Sequence, residues 1–334
     1  MERTINRQII LAKLPKGKLS VDDFNVREAP IPKPTEGELL LKVRLVSLDA
    51  ANRAWMQRET YRAAMKAGDL MDGYGIAEVL ASKAVGFAPG DLVFTTTGWQ
   101  DYVALPASTV VKVEQVNPLT HLLSAYGIAG RTAYHGLISI GQPREGETVV
   151  VSAAAGSVGT FVGQIAKIKG CRAIGIAGSA EKCRWLVHEL GFDEAINYKD
   201  GELAKALKAA SPDGIDIYFD NVGGMTFEVC VSQMKLHGRI ICCGAVSSYD
   251  GDLSDGRPRI DPLLIVIKRL MIKGFIMSDF NAERNLALSD LEAWVQAGRI
   301  KVIEDVWDGL EALPSALVGL LAGENRGKRM VRVQ

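Results

Sequence analysis

Residues 148–169 constrain this chain more than any other stretch of it. Thr148-Val149-Val150-Val151-Ser152-Ala153 is a β-branched run suited to a strand buried on both faces. It runs into Ala154-Ala155-Gly156-Ser157-Val158-Gly159, a form of G-x-G-x-x-G with alanine in the first place. Val158, Phe161, Val162, Ile165 and Ala166 then recur at helical spacing, Lys167 and Lys169 occupy the last turn, and Gly170 supplies a stop. Strand, glycine turn and helix in that order predict a backbone that a pyrophosphate can approach closely, with the N–H groups of a helix N-terminus aimed at it. The plainer alternative is a tight strand–helix turn that binds nothing.

At 334 residues the chain exceeds what one ordinary core serves, so two domains are expected. Lys+Arg 39 balance Asp+Glu 39, and no basic run segregates the charges, which argues against a nucleic-acid surface. Residues 1–7 contain no apolar run or cleavage signal, and nothing downstream approaches a membrane span, so a cytoplasmic protein is expected. The five cysteines (Cys171, Cys183, Cys230, Cys242 and Cys243) are odd in number and confined to the later half. That pattern fits reduced, buried thiols rather than a disulfide framework.

The first third reads as β-rich. Glu38–Ser47 alternates as a strand, Ala88-Pro89-Gly90-Asp91 is a turn signal, and Leu92-Val93-Phe94-Thr95 resumes extended character. From about Tyr126 strands and helices alternate: a strand at 173–177, a helix at 180–190 stopped by Gly191, and strands at 194–198, 215–219, 239–243 and 271–277. This rhythm predicts a parallel, doubly wound sheet with ligands at the carboxyl ends of its strands. The tail carries a helix at 313–321, with Pro314 tolerable in its first turn, and an extended end at 330–333 suited to packing on the first domain. The expected division is 1–125 with 300–334, β-rich, and 126–299, nucleotide-binding.

In dinucleotide folds the end of the second strand usually carries an acid for the adenosine ribose of NAD. Here that place reads Ala177-Gly178-Ser179, with Ser179 as an N-cap and Lys182 at the third helical position. A lysine there opposes the helix dipole, and a bound 2′-phosphate removes the conflict, which puts NADP ahead of NAD. Tyr198 is placed to add a hydroxyl or a ring edge. Two other readings stay open: Lys182 as a solvated lysine, and Glu181 as the ribose ligand.

Taken together these residues resemble the zinc-independent branch of the medium-chain dehydrogenase/reductase family, close to the prostaglandin, 2-alkenal and curcumin reductases. The likeness spans essentially the full length. It includes Asn6-Arg7-Gln8, Ser47-Leu48-Asp49, Gly98-Trp99, Gly130 with Thr132-Ala133-Tyr134, and the Ala-Ala-x-Gly loop. It continues through Asp220-Asn221-Val222-Gly223-Gly224, Cys243-Gly244, Ser247-x-Tyr249, Gly274-Phe275 and Gly323-x-Asn325-x-Gly327-Lys328. Two departures stand out: Ala50-Ala51-Asn52 where the family often has Pro-Tyr-Met, and Asp250 where Asn is common. The resemblance implies a Rossmann domain joined to a β-rich, partly closed-barrel (GroES-like) domain.

It also implies cofactor contacts. Besides Ala154, Gly156, Ser157, Val158, Gly159, Gly178, Ser179, Lys182 and Tyr198, these are Thr132 and the backbone of Phe275 and Ile276 near the nicotinamide, and Asn221 near the ribose. Cys243, Gly244, Ser247 and Asn325 complete the set. Asn52, Tyr74 and Trp99 are expected to border the substrate.

Alcohol dehydrogenation on this fold normally needs a Lewis acid such as zinc. The first domain has no cysteine, Cys242 and Cys243 are adjacent in an apolar strand, and His121, His135, His188 and His237 show no ligand spacing, so no metal is expected. No Tyr-x-x-x-Lys pair or Gly-x-Ser-x-Gly elbow is present. Hydride transfer then requires an acceptor already electron-poor, such as an α,β-unsaturated ketone or aldehyde. Hydride at its β-carbon leaves an enolate, whose oxygen needs a donor and whose α-carbon needs a proton that water can supply. Tyr249 is the candidate donor, aided by the cofactor ribose hydroxyl; its other reading is a tyrosine that packs over the cofactor. A quinone oxidoreductase and a non-catalytic NADPH-binding protein are the alternatives. An exposed edge strand at 271–277 favours a homodimer.

Overall fold

In a computed structural model of the chain, which describes residues 5–250 and 257–333, two compact units are present. The first comprises Met1–Leu123, Glu304–Glu324 and Arg329–Gln334; the second comprises Ser124–Ile303 and Asn325–Lys328.

The first unit begins with β1 (Ile5–Leu11) and β2 (Phe24–Pro30), an antiparallel pair. Then follow β3 (Glu38–Ser47), the short α1 (Ala51–Ala54), β4 (Tyr74–Ser82), β5 (Leu92–Thr96), β6 (Tyr102–Pro106) and β7 (Val111–Val113). Leu39, Leu41, Val43 and Leu45 of β3 alternate inward and are essentially inaccessible, the period-2 signature of a strand with one buried face. β3 pairs antiparallel with both β4 and β6, β4 with β5, and β5 with β7.

The second unit opens with α2 (Ile128–Tyr134), continued by a π-helical stretch, His135–Gly141. Strands and helices then alternate: β8 (Thr148–Val151), α3 (Ser157–Ile168), β9 (Arg172–Ala177), α4 (Ala180–Leu190), β10 (Glu194–Asn197) and α5 (Leu203–Ala210). They go on through β11 (Ile215–Asp220), α6 (Gly224–Ser232), β12 (Met234–Cys242), α7 (Pro262–Lys268), β13 (Met271–Gly274) and α8 (Arg284–Gln296). The sheet order is β10-β9-β8-β11-β12-β13 and every pairing is parallel. This is the doubly wound arrangement, with its reversal between β8 and β11. Val149, Val150 and Val151 lie in the middle of it at 0% exposure, as a strand covered on both faces requires.

The tail supplies β14 (Glu304–Asp308), α9 (Leu313–Leu321) and β15 (Lys328–Arg332). β15 pairs antiparallel with β3, Met330 facing Ser47, and β14 follows β15 at the sheet edge, so the tail completes the first unit's core with Leu310, Leu313, Leu317 and Val331. The four residues Asn325–Lys328 group instead with the second unit, because the Gly327 amide donates to the Ala155 carbonyl at 2.9 Å and Gly327 bridges Gly156. Among the described residues no helix is long and apolar enough to cross a membrane.

Several elements end elsewhere than the residue pattern suggests. The strand expected at 194–198 stops at Asn197, whose side chain accepts from the Lys199 amide and starts a tight turn, leaving Tyr198 beyond the strand. β12 begins at Met234 rather than 239, since Ile215 of β11 pairs with Met234 across an irregularity before Ile217 meets Arg239. The strand expected over 271–277 closes at Gly274.

Candidate active site

The glycine loop leaves β8 through Ala153, held at φ 49°, and α3 starts with Gly156 as its N-cap. A Cβ on Gly159 would run into the Ala153 carbonyl and lie 2.7 Å from the Ala154 Cα, so only glycine lets helix and loop pack this closely. No side chain caps the first turn of α3, and the Ser157 hydroxyl is buried without a partner among the described residues. An orphaned hydroxyl beside uncapped helix N–H groups has the donor set that pyrophosphate oxygens accept from. Val158 starts the same helix, and Ala154 is wholly buried beneath the turn.

At the end of β9 comes Gly178, then Ser179, whose Oγ caps α4 by accepting from the Lys182 amide at 3.2 Å. The Lys182 Nζ donates to the Asn325 carbonyl at 2.7 Å, so this lysine is anchored to the tail segment rather than loosely solvated. Glu181, the other candidate for the ribose, is ion-paired with Arg326. The Tyr198 ring leans over Gly178, where a Cβ would sit 3.2 Å from its edge. Beyond it opens a cavity of about 660 Å³ lined by Tyr198, Leu203, Gly223, Met225, Thr226 and Ser247.

The carboxyl end of β11 is organised by Asp220, 2% exposed. Its carboxylate accepts from the Tyr218 hydroxyl (2.6 Å), the Ser152 hydroxyl (3.0 Å) and the amides of Val222 and Gly223 (3.0 Å each). This is a capping role, with every bond spent on shaping the turn. Asn221 is fixed beside it, its amide donating to the Ser152 Oγ (2.9 Å) and its Nδ2 to the Ser152 carbonyl (2.8 Å). The Cys243 and Gly244 amides both donate to the Asp220 carbonyl, and burial beside Asp220 pushes the Cys243 thiol up to about 12. Ser247 donates its hydroxyl to the Val222 carbonyl at 2.6 Å. Tyr249 closes the same turn: its phenol oxygen accepts from the Ala245 amide at 3.1 Å.

Thr132 is buried on α2. Gly136, one turn on, packs so tightly that a Cβ would lie 2.8 Å from Phe275, which follows β13. The Ile276 amide donates to Asp279 at 3.1 Å, and the Asn325 side chain donates to the Gly327 carbonyl at 2.9 Å. The cofactor candidates all belong to the second unit. The three substrate candidates belong to the first unit. There Asn52 is 1% exposed and its side chain is spent on the Asp49 amide and the Asp72 carbonyl. Trp99 is 0% exposed, stacks on Phe24 at 5.6 Å and packs in the first unit's core. Tyr74 is half-buried, stacked on Phe94 at 5.5 Å, with the Arg62 guanidinium 4.4 Å above its ring.

Two family models match, one described as the N-terminal domain of oxidoreductase over residues 7–113 and one as zinc-binding dehydrogenase over residues 157–293. The chain is 39% identical to the NADPH-dependent curcumin reductase of Escherichia coli (strain K12) over 335 residues, covering 98% of this chain and 97% of that protein. It belongs to the medium-chain dehydrogenase/reductase family, in the branch of the prostaglandin, 2-alkenal and curcumin reductases. The NADP(+)-dependent 2-alkenal reductase of Nicotiana tabacum is likewise 39% identical, over 99% of this chain and 98% of its own. The crystal structure of CurA in complex with NADPH from Vibrio vulnificus superposes with a TM-score of 0.93 at 38% identity, covering 98% and 99% of the two chains.

One of the two family descriptions names zinc. Among the described residues of this medium-chain reductase, no three His, Cys, Asp or Glu side chains group so as to hold a metal ion. Burial pushes the Cys242 and Cys243 thiols up to about 11 and about 12, and a protonated thiol is a poor ligand. The described residues do not fit a zinc site. Two features escape sequence reasoning: the Arg62 guanidinium between the rings of Trp55 and Tyr74, and Arg326 against Glu181. Neither has a local signal, because each contact is made by residues that no spacing rule connects.

Proposed function

We propose that this protein reduces the conjugated carbon–carbon double bond of α,β-unsaturated ketones and aldehydes with NADPH. The observation that carries this reading is the near full-length likeness to reductases named for curcumin and for 2-alkenals. When bound, the cofactor supplies the hydride. The chain's own residues do the rest. Gly156, Ser157 and Gly159 receive the pyrophosphate, and Ser179, Lys182 and Tyr198 receive the 2′-phosphate side. Asn221, Cys243, Gly244, Ser247 and Asn325 hold the stretch between. Thr132, Phe275 and Ile276 orient the far end.

Tyr249 donates its phenolic proton in a hydrogen bond to the substrate carbonyl oxygen as negative charge gathers there. The Ala245 amide donates to the phenol oxygen and polarises the O–H toward donation. A preorganised donor of this kind typically contributes roughly 3 kcal/mol to the transition state. The α-carbon takes its proton from water. The same reading includes a homodimer: β13 is the outermost strand of its sheet, and Leu263, Val266 and Ile267 of α7 and Met271 and Ile272 of β13 are exposed.

The test is cofactor oxidation with NADPH and NADH in parallel against enals, enones and quinones, with the products identified. Saturated carbonyl products formed faster with NADPH support the reading. Turnover of quinones alone overturns the substrate class, and binding of NADPH without turnover of anything overturns the enzyme. A monomeric mass in solution overturns the homodimer.

A further inference from the structure

At the mouth of α4, two opposite charges stand on consecutive residues, Glu181 and Lys182, and the tail segment Asn325–Lys328 engages both. The Asn325 carbonyl holds the Lys182 ammonium at 2.7 Å, and the Arg326 guanidinium pairs with the Glu181 carboxylate. Arg326 also lies over the Trp185 ring, 5.5 Å from its centroid. Trp185 is one turn beyond Glu181 on the same helix, so Arg326 draws the carboxylate along the outer side of α4. The segment has no freedom to drift: the Gly327 amide donates to Ala155 in the glycine loop, and the Asn325 side chain donates back to Gly327.

We infer that Arg326 is a specificity-determining residue for the cofactor, selecting a 2′-phosphorylated adenosine by neutralising Glu181; this rests on the NADPH reading above. A free carboxylate at Glu181 would do two things. It would offer a ribose hydroxyl the acid that NAD-binding folds use there, and it would repel a phosphate dianion beside Lys182. With Arg326 in place the three side chains carry one net positive charge; without it they carry none. The stability of the unit does not need the pair, because the Glu181 side chain is 72% exposed and an ion pair so placed contributes little to folding. The pair therefore acts on binding rather than on folding.

The experiment is calorimetric titration with 2′,5′-ADP and 5′-AMP, which isolates the 2′-phosphate without nicotinamide or turnover. For Arg326→Gln the dissociation constant for 2′,5′-ADP rises about fivefold while that for 5′-AMP moves by less than about twofold. Arg326→Lys keeps most of the affinity, and Arg326→Gln with Glu181→Gln restores it, since the carboxylate to be neutralised is gone. Equal weakening of both probes, no change in either, or failure of the double variant to recover overturns the inference and makes Arg326 a structural residue. If the wild-type protein binds neither 2′,5′-ADP nor NADPH, the cofactor reading itself falls and this inference with it.

Discussion

The Tyr249 phenol oxygen sits 3.1 Å from the Ala245 amide nitrogen and accepts its hydrogen bond, four residues back along the same turn. That bond holds the phenol oxygen against the turn, and the proposed function makes Tyr249 the donor to the developing enolate. Tyr249→Phe is expected to lower kcat for enones about a hundredfold, at the low end of what loss of one oxyanion donor costs. The affinity for NADPH should not change. Steady-state kinetics on a substrate whose hydride step limits turnover, checked with deuterated cofactor, reads this directly. Unchanged kcat would remove the chemical role and leave Tyr249 as a packing residue.

What the residue pattern reveals here divides along local and non-local lines. The α4 bounds, Ala180–Leu190, follow from a serine cap before them and a glycine after, and the structure has both: the Ser179 Oγ bonds the Lys182 amide, and Gly191 takes φ 72°. The α9 bounds, Leu313–Leu321, agree with the expected helix although alanines flank it and no side chain caps it; Pro314 stands where a first turn tolerates it. The start of β12 is not, because a bulged pairing with β11 sets it. The partner of Lys182 is hidden too: its carbonyl acceptor stands 143 residues away in sequence. Trp99 is expected from the resemblance to border the substrate, yet the structure closes Phe24 and Gly73 around that indole and leaves it no surface.

His135 makes stability depend on pH. It is 0% exposed, stacked on Phe280 at 4.5 Å, with Nδ1 3.2 Å from the Ser139 Oγ and 3.9 Å from a Glu283 carboxylate oxygen. Burial lowers its pKa below the ordinary 6.5; Glu283 opposes that shift and Arg131 adds to it. The folded protein therefore binds fewer protons than the unfolded chain as pH falls through 6.5. Stability is full above that value and is lost as pH drops toward and through the folded-state pKa. Urea midpoints compared above and below that window should fall for the wild type on acidification and fall less for His135→Gln. Equal slopes would mean His135 does not titrate differently on folding.

Arg131 is a buried cation short of acceptors. It is 6% exposed, its Nε and one Nη find no hydrogen-bond partner among the described residues, and burial with repulsion from Arg284 lowers its pKa to about 10. It is still charged near neutrality, so the fold carries desolvation without a matching ion pair among the described residues. Arg131→Leu is expected to raise stability by about 1–3 kcal/mol, the cost of unsatisfied buried donors. The urea midpoint should rise at unchanged slope. A lower midpoint would show that the guanidinium has an acceptor after all.

Gly163 sets two opposing effects against each other in the middle of α3. Alanine there gains about 1 kcal/mol of helix preference. Yet a Cβ at this position would fall inside the Phe192 ring, in collision with its Cζ, Cε1 and Cε2 atoms. The ring has nowhere to go: Phe192 is 2% exposed, and its amide is bonded to the Leu186 carbonyl just after the left-handed Gly191. Overpacking a well-filled core costs about 1–3 kcal/mol, so the clash outweighs the propensity and Gly163→Ala is expected to destabilise. The coupling is testable by a double-mutant cycle. In a Phe192→Ala background the obstacle is gone, and Gly163→Ala should then stabilise by the helix preference alone. A Gly163→Ala effect of the same sign and size in both backgrounds would mean that Phe192 is not what keeps this position glycine.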